Sequence, residues 1–100
     1  MSEGLNLISM HDLERRAGRR DCMIIDLRAP GLYARDHVPG AVNLPFEDFG
    51  RWSRTLPRNK TLIFYCERGG SAMQAGRRMM RAGYDVEIVA GGYRPDFDID

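Results

Sequence analysis

The sequence has no long apolar stretch and very little cysteine. No apolar run approaches the roughly 18 residues that a membrane-spanning helix needs. The segment Met1–Leu7 lacks the basic and then apolar pattern of a secretory signal. Two cysteines, Cys22 and Cys66, are too few for a disulfide framework. We therefore expect a cytoplasmic protein that works in a reducing compartment and makes no contact with a membrane.

An excess of either charge is also missing. The 15 basic residues are almost balanced by 14 acidic ones, so the formal net charge is +1. A nucleic-acid-binding domain usually carries a clear basic excess, and no nucleic-acid partner is expected here. Lysine is nearly absent, because Lys60 is the single lysine beside 14 arginines. Arginine suits oxyanions and carboxylates, although genomic base composition is the simpler explanation for this bias.

The residues that are present fit one small folded domain. A chain of 100 residues suits a single domain. Its 43% hydrophobic and 29% charged residues are ordinary for a globular protein and exclude intrinsic disorder. We expect one domain over residues 1–100, with its core at about 7–93 and an acidic tail over 94–100.

Short apolar runs alternate with helical patterns along the chain, which predicts an α/β domain with a mainly parallel sheet. Runs that are apolar throughout predict strands that are buried on both faces. The clearest of these runs lie at residues 22–26, 61–66 and 86–89. Shorter extended segments are expected at residues 5–8 and 42–45.

Helices are predicted between these strands from caps and from residue spacing. Ser9 and Asp12 have the spacing of a capping box, so a helix is expected to begin there. Pro30 can open a short helix that reaches Arg35. Small and apolar residues at helical spacing predict a longer amphipathic helix over residues 71–82. A further helix with an aromatic face is predicted from three residues spaced by three: Phe46, Phe49 and Trp52.

The chemistry is expected at a cysteine that ends the strongest predicted strand. In an open parallel sheet, ligands bind outside the carboxyl ends of the strands, and Cys66 lies at such an end. Gly69 and Gly70 follow it and allow successive N–H groups to form a concave nest for an anion. The helix that begins after them adds unpaired N–H donors and the positive end of its dipole. Both effects favour a thiolate, so the loop predicts a nucleophile beside an anion cradle.

Other uses of the two cysteines stay open as alternatives. Cys66 would be inert if it were only a buried thiol, and Cys22 is interpreted as a core cysteine because no glycine loop follows it. A phosphatase cradle has five residues after its cysteine and then an arginine, but here that position is Ala72. This argues against phosphoester hydrolysis. A thiol redox or arsenate-handling enzyme would need Cys22 as the resolving cysteine.

Three segments in this order resemble the rhodanese-like domain family of sulfurtransferases. The first is I-I-D-L-R-A-P at residues 24–30, and the second runs from Tyr33 through H-V-P-G-A-V-N, which ends at residue 43. The third is Y-C-E-R-G-G-S at residues 65–71, and glycine–tyrosine pairs at 83–84 and 92–93 match the family's closing pattern. The resemblance implies a rhodanese-like α/β fold, with a parallel sheet of four or five strands and helices on both faces.

The resemblance also implies a reaction. Cys66 would take a sulfane sulfur from thiosulfate or a related small donor and carry it as a persulfide to a thiol or cyanide acceptor. No metal and no organic cofactor is needed for this chemistry, and an acceptor protein is a further candidate partner. The persulfide anion would be stabilised by the backbone N–H groups of the loop residues Glu67, Arg68, Gly69, Gly70 and Ser71.

Three residues outside the loop are expected to support the site. Asp26 and Arg28 lie at a strand end, where a structural ion pair is favoured over direct catalysis. His37 is interpreted as a hydrogen bonder that fixes a turn, since sulfur transfer from a thiolate needs no general base. Ser71 stands where the family often has arginine or threonine, so a fixed positive charge is missing. This departure motivates the alternative of a non-catalytic rhodanese-like binding or regulatory module, or a sulfur carrier for a partner protein.

The polar face of the predicted long helix is rich in arginine. It contains Arg77, Arg78 and Arg81. We interpret these residues as a solvated helix face, with the docking of an acidic partner protein as the alternative.

Overall fold

A computed structural model describes residues 5–93 of the chain as one five-stranded sheet with helices packed on it. All strand pairs are parallel, and the strand order is β1-β5-β4-β2-β3. The strands are β1 (Leu7–Ile8), β2 (Cys22–Asp26), β3 (Val42–Asn43), β4 (Thr61–Tyr65) and β5 (Asp85–Val89). The predicted fold is confirmed, with five strands in the sheet. The predicted acidic tail, residues 94–100, lies outside the described residues.

Within residues 5–93, four α-helices lie between or beside these strands. They are α1 (Met10–Arg16), α2 (Pro30–Arg35), α3 (Phe49–Trp52) and α4 (Gly70–Arg81). The capping box is present at α1, where the Asp12 N–H donates to Ser9 Oγ at 3.1 Å and the Ser9 N–H donates to Asp12 Oδ2 at 3.2 Å. No helix in residues 5–93 is both long enough and apolar enough to cross a membrane.

The predicted aromatic helix is wrong in one respect, because the structure divides it into two short pieces. Phe46–Asp48 form a 3₁₀ turn and α3 begins only at Phe49. A spacing of three is the period of a 3₁₀ helix, which is rarely longer than one turn. The aromatic rings still pack in series, with centroids 6.1 Å apart for Phe46 and Phe49 and 4.9 Å apart for Phe49 and Trp52.

Two hydrophobic layers cover the two faces of the sheet. In β4, Leu62 and Phe64 face α3 and α4, whereas Ile63 and Tyr65 face α1 and the turn after α2. All four side chains are fully buried. A central parallel strand is covered on both faces, and this explains why the run at 61–66 is apolar without alternation.

The strand order places a crevice between the carboxyl ends of β2 and β4. The chain leaves β2 towards β3 on one side of the sheet, and it leaves β4 towards β5 on the other side. These two connections diverge, so the crevice is the topological switch point where open α/β sheets bind ligands. The register pairs Asp26 with Tyr65. The segments that follow, 27–29 and 66–71, therefore meet at one edge of the sheet.

Candidate active site

A cleft of about 400 Å³ occupies the switch point. Its lining comes from the residues after β2 and from the loop after β4. The lining residues are Leu27, Arg28, Ala29, Cys66, Glu67, Arg68, Gly70 and Ser71. The structure thus brings most of the predicted loop to one cleft, together with Arg28.

Cys66 is held at the first turn of α4. Its side chain is only 4% exposed, and its Sγ accepts the N–H of Gly69 at 2.9 Å and the N–H of Ala72 at 3.3 Å. Gly69 has φ +97°, a left-handed conformation that glycine adopts without strain. The sulfur therefore lies among donors at the positive end of a helix dipole, and this environment stabilises negative charge on sulfur.

The turn after β5 supports the cysteine loop from behind. The Tyr93 N–H donates to the Cys66 carbonyl at 2.8 Å. Gly92 has φ +87°, and a Cβ there would lie 2.7 Å from the carbonyl carbon of Glu67 and 2.8 Å from the Cα of Arg68. Sequence reasoning identified 91–92 only as a turn with a family-like pattern. A pair of glycines directly after a buried strand was the available signal for this close approach.

Asp26 and Arg28 form a buried ion pair beneath the cleft. The carboxylate is fully buried, and Arg28 donates to it from Nε at 3.1 Å and from Nη2 at 2.9 Å. Nη2 also donates to the Asp36 carbonyl at 2.6 Å. Burial opposes the charge on Arg28, but the hydrogen bonds and charge of Asp26 outweigh it and raise the pKa of Arg28. The guanidinium is therefore charged and already engaged by a carboxylate.

Two tyrosines that sequence reasoning missed as site residues hold this guanidinium in place. The guanidinium carbon lies 4.2 Å from the ring centroid of Tyr93 and 5.8 Å from that of Tyr65. The Tyr65 hydroxyl accepts the N–H of Val38 at 3.1 Å, and burial raises the pKa of that hydroxyl. The pair of tyrosines thus links the ends of β2 and β4 to the segment after β5. Their positions beside Cys66 and Gly92 were the only sequence signal.

His37 lies in the turn after α2 and does not line the cleft. Its Nδ1 is 2.8 Å from the Tyr33 carbonyl oxygen, and its ring stacks on the Tyr33 ring at 3.8 Å. These contacts suit a residue that fixes a turn.

Cys22 lies at the opposite end of the sheet from Cys66. The register pairs Cys22 with Thr61, so Cys66 is five residues farther along, or about 16 Å at roughly 3.3 Å per residue. A disulfide needs Cα atoms within about 7 Å. Cys22 opens β2, is half-buried and packs against the core, in agreement with its interpretation as a core cysteine. The same separation excludes Cys22 as a resolving cysteine for Cys66.

The described residues hold no cluster of three or more histidine, cysteine or acidic side chains suited to a metal ion. The site consists of the Cys66 thiol, the backbone N–H groups that donate to it, and a loop that the turn after β5 contacts from behind. An open parallel α/β sheet binds its ligands at such a switch point, and here that point presents a thiol among N–H donors.

Comparison with known proteins identifies the family. The rhodanese-like domain family matches residues 9–95, and the chain belongs to it. Thiosulfate sulfurtransferase PspE of Escherichia coli is 35% identical over 72 residues, covering 70% of this chain and 69% of that protein. A sulfurtransferase of Allochromatium vinosum is 28% identical over 81 residues, covering 80% and 76%. Both of these relatives are named as sulfurtransferases.

A longer relative and two solved structures extend the comparison. The tRNA sulfurtransferase of Desulfurococcus amylolyticus is 36% identical over 72 residues, which cover 72% of this chain but 14% of that protein. Reduced CoADR-RHD of Bacillus anthracis superposes with a TM-score of 0.79 at 25% identity, covering 88% of this chain and 16% of that one. A rhodanese-like domain protein of Staphylococcus aureus gives 0.77 at 19% identity, covering 88% and 87%. The second structure bears on the fold alone.

Proposed function

We propose that this protein is a sulfurtransferase in which Cys66 takes a sulfane sulfur from thiosulfate or a related small donor and passes it to a thiol acceptor. The observation that carries the proposal is the position of Cys66 Sγ, which faces an open cleft while accepting the N–H groups of Gly69 and Ala72. The sulfurtransferases among the relatives support the same reaction class.

In the first step, the Cys66 thiolate attacks the outer sulfur of the donor. A new sulfur–sulfur bond forms, the sulfur–sulfur bond of thiosulfate breaks, and sulfite leaves with the bonding electron pair. Cys66 then carries a persulfide whose terminal sulfur is anionic. We assign the stabilisation of this charge to backbone N–H groups of the loop and the first turn of α4, of which those of Gly69 and Ala72 already donate to Cys66 Sγ, because preorganised donors stabilise such charge without reorganising.

In the second step, an acceptor thiolate attacks the terminal sulfur of the persulfide. The bond from that sulfur to Cys66 breaks, the Cys66 thiolate is restored, and the acceptor leaves as a persulfide. Cyanide can take the place of the acceptor thiolate and leaves as thiocyanate. This is covalent catalysis in two displacements, and each one begins and ends with a stabilised anion.

Arg68 is the cation we assign to the donor. Its exposed side chain lines the cleft and makes no ion pair with a carboxylate of residues 5–93. Arg28 is committed to Asp26, and Ser71 supplies no charge. Glu67 lines the same cleft and opposes a dianion. One free cation beside one carboxylate predicts weak binding of thiosulfate.

The test is the intact mass of the protein after incubation with thiosulfate. We expect the wild-type protein to gain one sulfur atom and to lose it on addition of cyanide, with thiocyanate released. Cys66→Ser should gain none, whereas the matched control Cys22→Ser should behave like the wild type. If neither thiosulfate nor glutathione persulfide loads the wild-type protein, the proposal is wrong and a non-catalytic binding or regulatory module becomes the better reading.

A further inference from the structure

We propose that a groove at the C-terminal end of α4 is a docking site for an acidic segment of a partner protein. Arg54, Arg58 and Arg78 line this groove, and Arg58 and Arg78 lie over the rings of Tyr84 and Phe49. Its volume is about 520 Å³, larger than that of the cleft at Cys66. Binding of a partner at this groove does not depend on the sulfur chemistry of Cys66.

The Arg58 guanidinium is fixed in place before any partner binds. Its Nη1 donates to the Ala82 carbonyl at 2.8 Å, at the C-terminal end of α4, and its guanidinium carbon lies 4.3 Å from the Tyr84 ring centroid. A cation there also complements the negative end of the helix dipole. A guanidinium that is already oriented loses little freedom on binding, so its contacts with a carboxylate cost less entropy.

The other two arginines complete a cationic rim without an internal counterion. Arg78 lies over the Phe49 ring, with its guanidinium carbon 5.2 Å from the centroid. Within residues 5–93, none of the three guanidiniums has a carboxylate oxygen within 4.0 Å. All three side chains are exposed. Planar guanidiniums bind carboxylates in a bidentate geometry, so the rim complements an acidic peptide.

The groove favours an acidic protein segment over a nucleic acid. Bases bind such surfaces by stacking on aromatic faces, but here Arg58 and Arg78 already cover the faces of Tyr84 and Phe49. The chain also lacks the general basic excess of nucleic-acid binders, since its net charge is +1.

The groove and the cleft lie at opposite ends of one helix. Cys66 contacts the first turn of α4 and Arg78 lies in its last turn, and the 12-residue helix is about 18 Å long. A partner held at the groove therefore leaves the cleft open. A small sulfur donor reaches Cys66 without touching the groove, so binding and chemistry can be measured separately.

The test is an NMR titration of the isotope-labelled full chain with a short peptide of alternating glutamate and leucine. We expect shifts at the Arg54, Arg58 and Arg78 side chains and none at the Cys66 loop. Arg78→Gln should weaken binding about threefold and Arg54→Gln/Arg78→Gln about tenfold. Arg15→Gln, an exposed helical arginine on the other face, is the matched control and should not weaken it. Arg58 is left intact because it caps α4.

Three outcomes would overturn the proposal. The first is that the peptide does not bind, or that it binds the arginine variants as tightly as it binds the wild-type protein. Another is tighter binding of single-stranded oligouridylate than of the peptide, which would assign the groove to a nucleic acid. The third concerns the chain's own aspartates at positions 96, 98 and 100. If D96N/D98N/D100N tightens peptide binding more than about threefold, the occupant is this chain's own segment and not a partner.

Discussion

Position 92 shows how one missing side chain sets the shape of the cysteine loop. Gly92 combines φ +87° with a close approach to the backbone of Glu67 and Arg68. A backbone neighbour cannot rotate away, so Gly92→Ala should displace the loop and separate Cys66 from its donors. We expect a loss of about 1–3 kcal/mol in the free energy of unfolding and a drop of at least about tenfold in persulfide formation. Urea unfolding and cyanide-released thiocyanate measure the two effects.

Gly91→Ala is the matched control for that substitution. Gly91 also has a positive φ, +83°, but a Cβ there would meet nothing within 4 Å. The control therefore suffers backbone strain alone and should keep most of its sulfur loading. Equal losses of activity in the two variants would mean that strain, and not contact with the loop, explains the effect.

The reactivity of the Cys22 thiol should depend on pH. Burial raises the pKa of Cys22, and the nearby carboxylate of Asp21 raises it further. Below a raised pKa the thiolate fraction grows about tenfold per pH unit. Alkylation of Cys66→Ser by iodoacetamide should therefore accelerate steadily from about pH 7 to about pH 9. Asp21→Asn should lower the pKa and speed the reaction at a given pH. A rate that levels off near neutral pH would contradict this assignment.

At the residue scale, sequence alone indicated the nucleophile but not what holds it. Cys66 and its glycine loop form one continuous segment, and their chemistry depends on neighbours along the chain. The supports come from far away, since Gly92 and Tyr93 reach the loop only through the pairing of β5 with β4. A pattern of apolar residues predicts that a strand is buried, but it does not say which distant backbone will touch it.

At the scale of elements, the contact between α4 and β5 depends on a second glycine. Gly76 lies inside α4, and a Cβ there would be 2.5 Å from Cδ1 and 2.7 Å from Cγ1 of the buried Ile88. Alanine gains about 1 kcal/mol of helix propensity over glycine, whereas overpacking costs about 1–3 kcal/mol. We expect Gly76→Ala to lower the free energy of unfolding by about 1 kcal/mol net, as measured in urea.

Two further variants decide whether contact causes that loss. Gly31→Ala in α2 meets nothing within 4 Å, so it should be neutral or stabilising. Adding Ile88→Val to Gly76→Ala removes the clashing Cδ1 and should recover part of the stability, although Ile→Val alone costs about 0.5–1.5 kcal/mol. A Gly76→Ala protein as stable as the wild type would show that the helix shifts freely over the sheet.

Most of the helices and strands were predictable from the sequence because the residue patterns that specify them are local. A capping box and a proline fix where α1 and α2 begin, and an uninterrupted apolar run identifies β4. The prediction of one helix over the aromatic segment at residues 46–52 was wrong because a spacing of three fits an α-helix and a 3₁₀ turn almost equally well. In the structure the indole N–H of Trp52 donates to the carbonyl of Pro45, the residue before the 3₁₀ turn, at 2.8 Å, and residue spacing alone does not reveal this contact.

At the scale of the whole molecule, strand order creates the site. The alternation of strands and helices predicts a parallel sheet, but it does not say which strands are neighbours. The resemblance to a known family supplied the expected fold. The switch point between β2 and β4 then explains why Arg28 and Cys66, about forty positions apart in the sequence, line one cleft. The buried pair of Asp26 and Arg28 ties this junction together.

That pair carries the largest expected effect on global stability. Asp26→Asn leaves the Arg28 guanidinium charged in a buried site, and breaking such a pair costs about 3–5 kcal/mol. Small domains have only about 5–15 kcal/mol in total, so the thermal midpoint should fall by more than about 10 °C. The control is Asp21→Asn, which breaks the exposed pair with Arg19 and should leave the midpoint nearly unchanged.

A double variant separates the cost of an unpaired charge from the value of the pair. In Asp26→Asn/Arg28→Met the buried charge is gone and the apolar side chain can still pack against Tyr93. The large cost of Asp26→Asn comes from the uncompensated buried charge, and the double variant removes that charge, so this protein should recover most of the stability that Asp26→Asn loses. The Asp36 carbonyl, which accepts from Arg28 at 2.6 Å, would lose its donor, so recovery should be incomplete. If the double variant is less stable than Asp26→Asn, Arg28 stabilises the junction of β2 and β4 mainly through its contacts with Asp36 and Tyr93, and not through its ion pair with Asp26.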